Sequence, residues 1–246
     1  MAIGWCNEVQ VWHPETKQRY ATLHNHSSYM TALEWKYSAD LVALSGTEVQ
    51  IYDLRMSRPE IEEYSGLGYG DPATRLQWND HILAAAGGNC LCLWDVRYAG
   101  RDPLQEFQHE GVKGLAFCSR QRNILATGGA NGIQLWNVQS GNLRATIPTQ
   151  EPVTSLLWSP YRREVMASYG DLMAVWSLSS GVKRLAEWGP DAGKFLSLDR
   201  VPFTGRVVSL HSNEVLIGWN AFGEPPSVPK IGMDTGLGML EMPVIR

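Results

Sequence analysis

Few side chains in this chain have types and spacings that could do chemistry. Cys90 and Cys92 are the closest thiol pair, while Cys6 and Cys118 lie far from them. On a strand, a C-x-C pair puts both sulfurs on one face, about 6–7 Å apart along the chain. A structural metal site needs further Cys or His at ligand spacing, and none stands near. All four cysteines are therefore expected as reduced, mostly buried thiols, with no metal ion and no cofactor. His24 and His26 are close together. However, His26 and His109 precede by nine and eight residues the aromatics Trp35 and Phe117, a place suited to internal hydrogen bonding. Gly66-Leu-Gly-Tyr-Gly70 is glycine-rich but follows Glu62-Glu63-Tyr64 on an expected outer strand. It lacks the following helix that a phosphate-cradling loop requires. The motifs G-x-S-x-G, G-x-x-x-x-G-K and H-E-x-x-H do not occur. With no nucleophile, base and oxyanion donors assembled, the sequence predicts a non-catalytic protein.

The elements that must hold these residues belong to a globular chain. Its 246 residues carry 21 Lys and Arg against 25 Asp and Glu, a net charge of −4. That balance argues against a generally basic nucleic-acid binder. A 44% hydrophobic and 19% charged composition is too apolar for a disordered chain. At this length roughly 70–75% of the unfolded surface can be buried without disulfides or metal. No apolar run approaches the ~18 residues of a membrane span, and Met1-Ala2-Ile3-Gly4-Trp5 lacks a signal-peptide pattern. The expectation is a soluble, intracellular protein, with neither nucleic acid nor membrane as partner.

Ten tryptophans are the unusual number in the composition, and their positions repeat. Trp12, Tyr52, Trp94, Trp136, Trp176 and Trp219 are spaced by 40, 42, 42, 40 and 43 residues. Small-residue segments ending at Gly4, Gly46, Gly88, Gly129, Gly170 and Ser212 are spaced by 42, 42, 41, 41 and 42. A third ladder runs through Trp35, Trp78, Phe117 and Trp158. Three ladders at one period of about 41 are the mark of a WD-repeat β-propeller, at about 40–45 residues per blade. Runs such as Cys90-Leu-Cys-Leu-Trp-Asp95 and Gly132-Ile-Gln-Leu-Trp-Asn137 read as short strands closed by an aromatic and a turn-forming Asp or Asn. No stretch sustains the helical period of 3.6. The expected fold class is all-β, with about six recognisable blades. Four are complete, with inner strands near 30–36, 74–79, 112–118 and 152–158. The first starts at its second strand and the last lacks its fourth, so either six blades close with two imperfect ones or, the favoured reading, the chain is an N-terminally short form of a seven-blade ring. The propeller is expected over 1–220. From 221 to 246, four Pro and four Gly without periodicity predict an extended tail.

Two adjacent blades carry a more specific likeness. Gly111-Val-Lys-Gly-Leu-Ala-Phe-Cys-Ser-Arg-Gln-Arg-Asn-Ile-Leu-Ala-Thr-Gly-Gly129 with Ile133-Gln-Leu-Trp-Asn137, and Val153-Thr-Ser-Leu-Leu-Trp-Ser-Pro-Tyr161, resemble the fizzy and fizzy-related activators of the anaphase-promoting complex. That complex is a cell-cycle ubiquitin ligase. The resemblance extends from about Val9 through Phe222, and its drifted blades suggest a divergent member, of the cortex branch associated with meiosis. It implies an adaptor that binds degradation motifs on substrates such as cyclins through its propeller, in mitotic or meiotic control. It also implies docking on helical-repeat scaffold subunits of the ligase through a terminal Ile-Arg, here Ile245 and Arg246. A guanidinium, a carboxylate and one branched apolar side chain make a compact handle for such a groove.

For substrate motifs the resemblance points to Asn89 in a loop between second and third strands, Lys194 before the last inner strand, and Glu214 in the last blade. Pro152 and Ala130 stand where the family carries hydrogen-bonding residues, and Gly87-Gly88-Asn89-Cys90 is two residues shorter than its loop, which weakens the case for KEN-type motifs. The family's N-terminal activating motif has no counterpart before the first blade. The competing expectations are a generic WD-repeat scaffold in another complex, or a short competitor that docks without activating.

Overall fold

The computed structural model describes residues 2–5, 8–24, 30–36, 41–45, 48–56, 60–64, 72–98, 100, 102–189, 193–201 and 204–222. Among the described residues every regular element is a β-strand, and no helix is long and apolar enough to cross a membrane. The strands form six antiparallel meanders. The first sheet holds β1 (Ala2–Trp5), β2 (Glu8–His13) and β3 (Gln18–His24). The second holds β4 (Ala32–Lys36), β5 (Leu41–Ser45), β6 (Val49–Asp53) and β7 (Glu60–Tyr64). The third holds β8 (Arg75–Asn79), β9 (Ile82–Gly87), β10 (Cys90–Asp95) and β11 (Gln105–Gln108). The fourth holds β12 (Gly114–Phe117), β13 (Ile124–Gly129), β14 (Gly132–Asn137) and β15 (Asn142–Ile147). The fifth holds β16 (Val153–Trp158), β17 (Glu164–Tyr169), β18 (Leu172–Ser177) and β19 (Lys183–Trp188). The last holds β20 (Phe195–Arg200), β21 (Val207–His211) and β22 (Leu216–Trp219).

The ladder aromatics fix which strand is which. Trp94, Trp136, Trp176 and Trp219 lie at or next to the end of the third strand of their blades, and Trp12 lies in β2. The first sheet is therefore a second-to-fourth-strand set, and the last is a first-to-third-strand set. Four blades are complete, as the spacing predicts, and the sheets are the blades of an all-β propeller. A register shift recurs beside the ladder aromatic, between Val11 and Trp12, Ile51 and Tyr52, and Val175 and Trp176. Such bulges add local twist.

Burial follows position within the blade. β6, β13 and β17 are buried at every residue, while β15 and β19 are mostly exposed. A middle strand has neighbours on both edges and sheets over both faces, so it reads as an unbroken apolar or small run, Ile82-Leu-Ala-Ala-Ala-Gly87 for instance. A small residue is obligatory at Gly128, where an added Cβ would overlap the Val153 side chain.

The chain divides into two compact units, Met1–Leu115 with Asn137–Leu143, and Ala116–Trp136 with Arg144–Arg246. In the first, Val9, Val11, Val42 and Tyr52 pack the first sheet on the second, and Ala43, Tyr64, Leu83 and Trp94 pack the second on the third. In the second, Ala126, Leu156, Val165 and Trp176 join the fourth and fifth sheets, and Met166, Met173, Phe195 and Val207 join the fifth and last. Phe222 is buried in that last cluster, and its N–H donates to the Gly205 carbonyl at 3.2 Å.

Candidate functional site

The loop ends of the blades carry the three substrate-motif candidates, and in each the backbone is committed to the fold. Gly88, with φ 54°, and Asn89 form the turn between β9 and β10. The Asn89 carbonyl accepts the His109 N–H at 3.0 Å, and its Oδ1 accepts the Gly111 N–H at 3.0 Å. Val112 donates to the Gly88 carbonyl at 3.1 Å. The Asn89 carboxamide oxygen thus braces the turn that leads into β12, and the exposed side chain offers a ligand the two donors on Nδ2. His109 is itself buried, and that burial pushes its imidazole down to about 4.

Lys194 and Glu214 come together at one end of the last sheet, Lys194 just before β20 and Glu214 in the turn between β21 and β22. The Lys194 N–H donates to Ser212 Oγ at 3.2 Å and its carbonyl accepts the Ser212 N–H at 2.9 Å. Two residues on, the Glu214 N–H donates to the His211 carbonyl at 3.0 Å. Glu214 holds φ 66°, a left-handed conformation that an L side chain adopts at a cost. Both side chains are exposed, and no ion pair joins them among the described residues. The turn thus presents one cation and one anion, each free to meet a polar peptide.

A buried chain of hydrogen bonds stands behind that turn. Trp219 Nε1 donates to Ser209 Oγ at 2.7 Å, Ser209 Oγ lies 2.7 Å from His211 Nε2, and His211 Nδ1 lies 3.3 Å from the Gly193 carbonyl. The Gly193 carbonyl can only accept, so Nδ1–H donates to it, and the Ser209 hydroxyl bridges the indole N–H and Nε2. In composition this is a hydroxyl beside a base. Ser209 and His211 are 0% and 1% exposed, so no substrate reaches the pair, and it acts as a brace between β21 and the segment leading to Lys194. The ladder named Ser212 and Trp219 but left this brace unread, because only pairing of β20 with β21 brings Gly193 beside His211.

The described thiols, Cys90, Cys92 and Cys118, are free, and Cys6 lies outside the described residues. Cys90 and Cys92 share a face with sulfurs 3.7 Å apart. The hydrogen bond from Cys92 draws the Cys90 thiol down, and donating that bond, together with burial, pushes the Cys92 thiol up. Among the described residues no cluster of three metal-ligating side chains occurs. Ile245 and Arg246 lie outside the described residues, as does His26.

No family model matches the chain. It is 32% identical to Cell division cycle 20.5, cofactor of APC complex, from Arabidopsis thaliana, over 94% of this chain and 54% of that protein. It is 29% identical to Anaphase-promoting complex subunit cdc20 of Dictyostelium discoideum, over 90% of this chain and 46% of that one. The chain therefore spans about half the length of the curated relatives it matches. Among solved structures, a chain of the crystal structure of a mitotic checkpoint complex superposes with a TM-score of 0.79 at 25% identity, covering 88% of this chain and 69% of that one. Blade order, ladder spacing and these likenesses converge on the Cdc20/Fizzy family of WD-repeat propellers, whose members the chain resembles over 94% of its length.

Proposed function

We propose that this protein is a non-catalytic cofactor of the anaphase-promoting complex, a recognition subunit that brings degradation-motif substrates such as cyclins to the ligase in mitotic or meiotic cells. The observation that carries this reading is the likeness, across 94% of the chain, to a protein described as a cofactor of that complex. In this reading the propeller receives the substrate motif at its loop ends. Lys194 supplies a cation, Glu214 an anion, and Asn89 the donors of its carboxamide nitrogen. The separate handle is Ile245 with Arg246, whose branched side chain and planar guanidinium dock in a groove of a helical-repeat scaffold subunit. Such a protein works where the ligase works, in cytoplasm and nucleus.

The test is capture of the purified complex by this protein, with and without Ile245 and Arg246. The chain with its Ile-Arg end is expected to retain the scaffold subunits, and the two-residue deletion to lose them while its thermal unfolding is unchanged. Equal capture by both forms removes the docking role of the dipeptide, and no capture by either removes the cofactor reading. Substrate recognition is read separately, by binding of a fluorescent cyclin-derived peptide to wild type and to Lys194→Glu and Glu214→Lys.

A further inference from the structure

Two clefts of similar size, about 250 and about 260 Å³, open between neighbouring sheets, one in each unit. They differ in what has become of their cations. In the first unit the cleft is lined by Trp12, Tyr20, Trp35, Leu54 and Arg55. Arg55 is already spent: its Nε and Nη2 donate to the two Asp53 carboxylate oxygens at 2.8 and 2.6 Å. Arg97 is held by Asp95 in the same way, at 3.0 and 2.6 Å.

In the second unit the cleft lies between the fourth and fifth sheets. Its floor is apolar, built on the buried Cys118, Leu135 and Trp158. The Trp158 indole N–H donates to the Ala116 carbonyl at 2.8 Å, so an apolar guest strands no buried donor. One wall is Val182, 46% exposed although it is aliphatic. The rim carries two exposed guanidinium groups, Arg144 and Arg163. At the ladder positions of Asp53 and Asp95 these two blades carry Asn137 and Ser177, and two residues on, where Arg55 and Arg97 sit, they carry Gln139 and Ser179, so the clamp has no counterpart here and Arg144 and Arg163 stand outside it. Neither Arg144 nor Arg163 has an ion-pair or hydrogen-bond partner for its guanidinium among the described residues. The carboxylates of the fifth sheet are engaged elsewhere, Glu164 with Arg162 at 3.8 Å, and Glu187 with Arg184 and the Tyr169 hydroxyl.

We infer that this cleft is a second protein-docking site, which takes a short peptide segment whose apolar side chain adjoins an Asp or Glu. The volume is below the 300–1,000 Å³ of sites that enclose a drug-sized ligand, so it holds one or two side chains and not a folded surface. The apolar floor receives the aliphatic or aromatic group. Arg144 and Arg163 take the neighbouring carboxylate, with the planar fork that suits two-point recognition of that group. The site uses none of the loop-end residues or the Ile245-Arg246 handle, so it survives or fails independently of ligase capture.

An immobilised array of octapeptides tests it, with Glu-Leu, Asp-Leu, Glu-Ile or Asp-Phe at the centre and the matching Gln or Asn peptides beside them. Wild-type protein is expected to bind the acidic set at least tenfold better than the amide set. Arg144→Glu with Arg163→Glu removes that preference, and Val182→Lys weakens binding of both sets. Both arginines are exposed, and an unchanged circular dichroism spectrum and melting temperature show that the variant is folded. Absence of any preference for acidic peptides, or a preference that persists in the double arginine variant, overturns the proposal.

Discussion

Ser155→Ala isolates a single hydrogen-bonding hydroxyl at the seam between the fifth and last blades. Ser155 Oγ accepts the Leu198 N–H at 3.1 Å and reaches the Leu198 carbonyl at 3.4 Å. Ser155 and Leu198 are 6% and 5% exposed, so water does not replace the hydroxyl when it is removed. The longer contact is weak by geometry, and the loss is dominated by a buried N–H left without an acceptor, about 1–3 kcal/mol. Alanine also leaves a void the size of one oxygen, a small addition. The expected cost is about 2 kcal/mol, or about 4–8 °C in melting temperature for a chain of this size. Ser119→Ala, at an exposed position, serves as the surface control and stays within about 0.5 kcal/mol. Urea unfolding followed by tryptophan fluorescence gives the stability, and amide exchange at Leu198 gives the local effect. A variant that unfolds with the control and keeps wild-type protection at Leu198 refutes the claim that this hydroxyl joins the two blades.

Gly128→Ala drives a Cβ into Val153 and is expected to cost about 1–3 kcal/mol by overpacking; adding Val153→Ala recovers part of the loss in the same unfolding assay. His109 gives stability a pH dependence of defined sign. The unfolded imidazole takes its proton near 6.5, whereas the buried one resists until about 4. The unfolded state therefore binds more protons between those values, so stability falls as pH drops from about 6.5 to about 4 and is flat above. Denaturant midpoints at pH 4 to 8 should show this slope in wild type and its reduction in His109→Gln. Glu214→Gly relieves the left-handed backbone at φ 66° and is expected to leave stability equal or up to about 1 kcal/mol higher, while cyclin-peptide binding falls; a loss of stability would show that the side chain is structural.

The blade architecture was legible because it is written in spacing. Each blade must return the chain to the same radial position after four strands, so Trp94, Trp136 and Trp176 recur at a nearly fixed interval. The placement of Trp12 alone identified β2 as a third strand and the first sheet as short of an inner one. The loop ends were not legible to the same degree. That the Asn89 carboxamide oxygen holds Gly111 depends on residues 22 positions apart meeting in space, which no local pattern encodes. The Ser209–His211–Trp219 brace could have been suspected from hydroxyl, imidazole and indole at fixed ladder offsets, but its closure on Gly193 required the register of β20 with β21. Arg144 and Arg163 carried no motif at all. The local pattern shows only the loss of the Asp-x-Arg clamp, Asp53-Leu-Arg55 and Asp95-Val-Arg97 giving way to Asn137-Val-Gln139 and Ser177-Leu-Ser179, and it says nothing of arginines placed elsewhere in the blade.

The candidate binding residues share one physical arrangement that explains how such a fold accommodates change in what it binds. Lys194 and Asn89 contribute backbone hydrogen bonds to the blade, and Glu214 does so through its N–H. None of these bonds depends on which side chain is present, apart from the Asn89 oxygen on Gly111. The strand interiors are the reverse. Gly128 and Ser155 are fixed by what touches them on another blade, and a substitution there is felt as lost stability. Recognition can therefore be retuned at the loop ends without disturbing the stack that positions them. The two inter-blade clefts show this most plainly, being nearly equal in volume and built on the same aromatic ladder. In one, Asp53 consumes the rim arginine, and in the other Arg144 and Arg163 stand outside any such clamp.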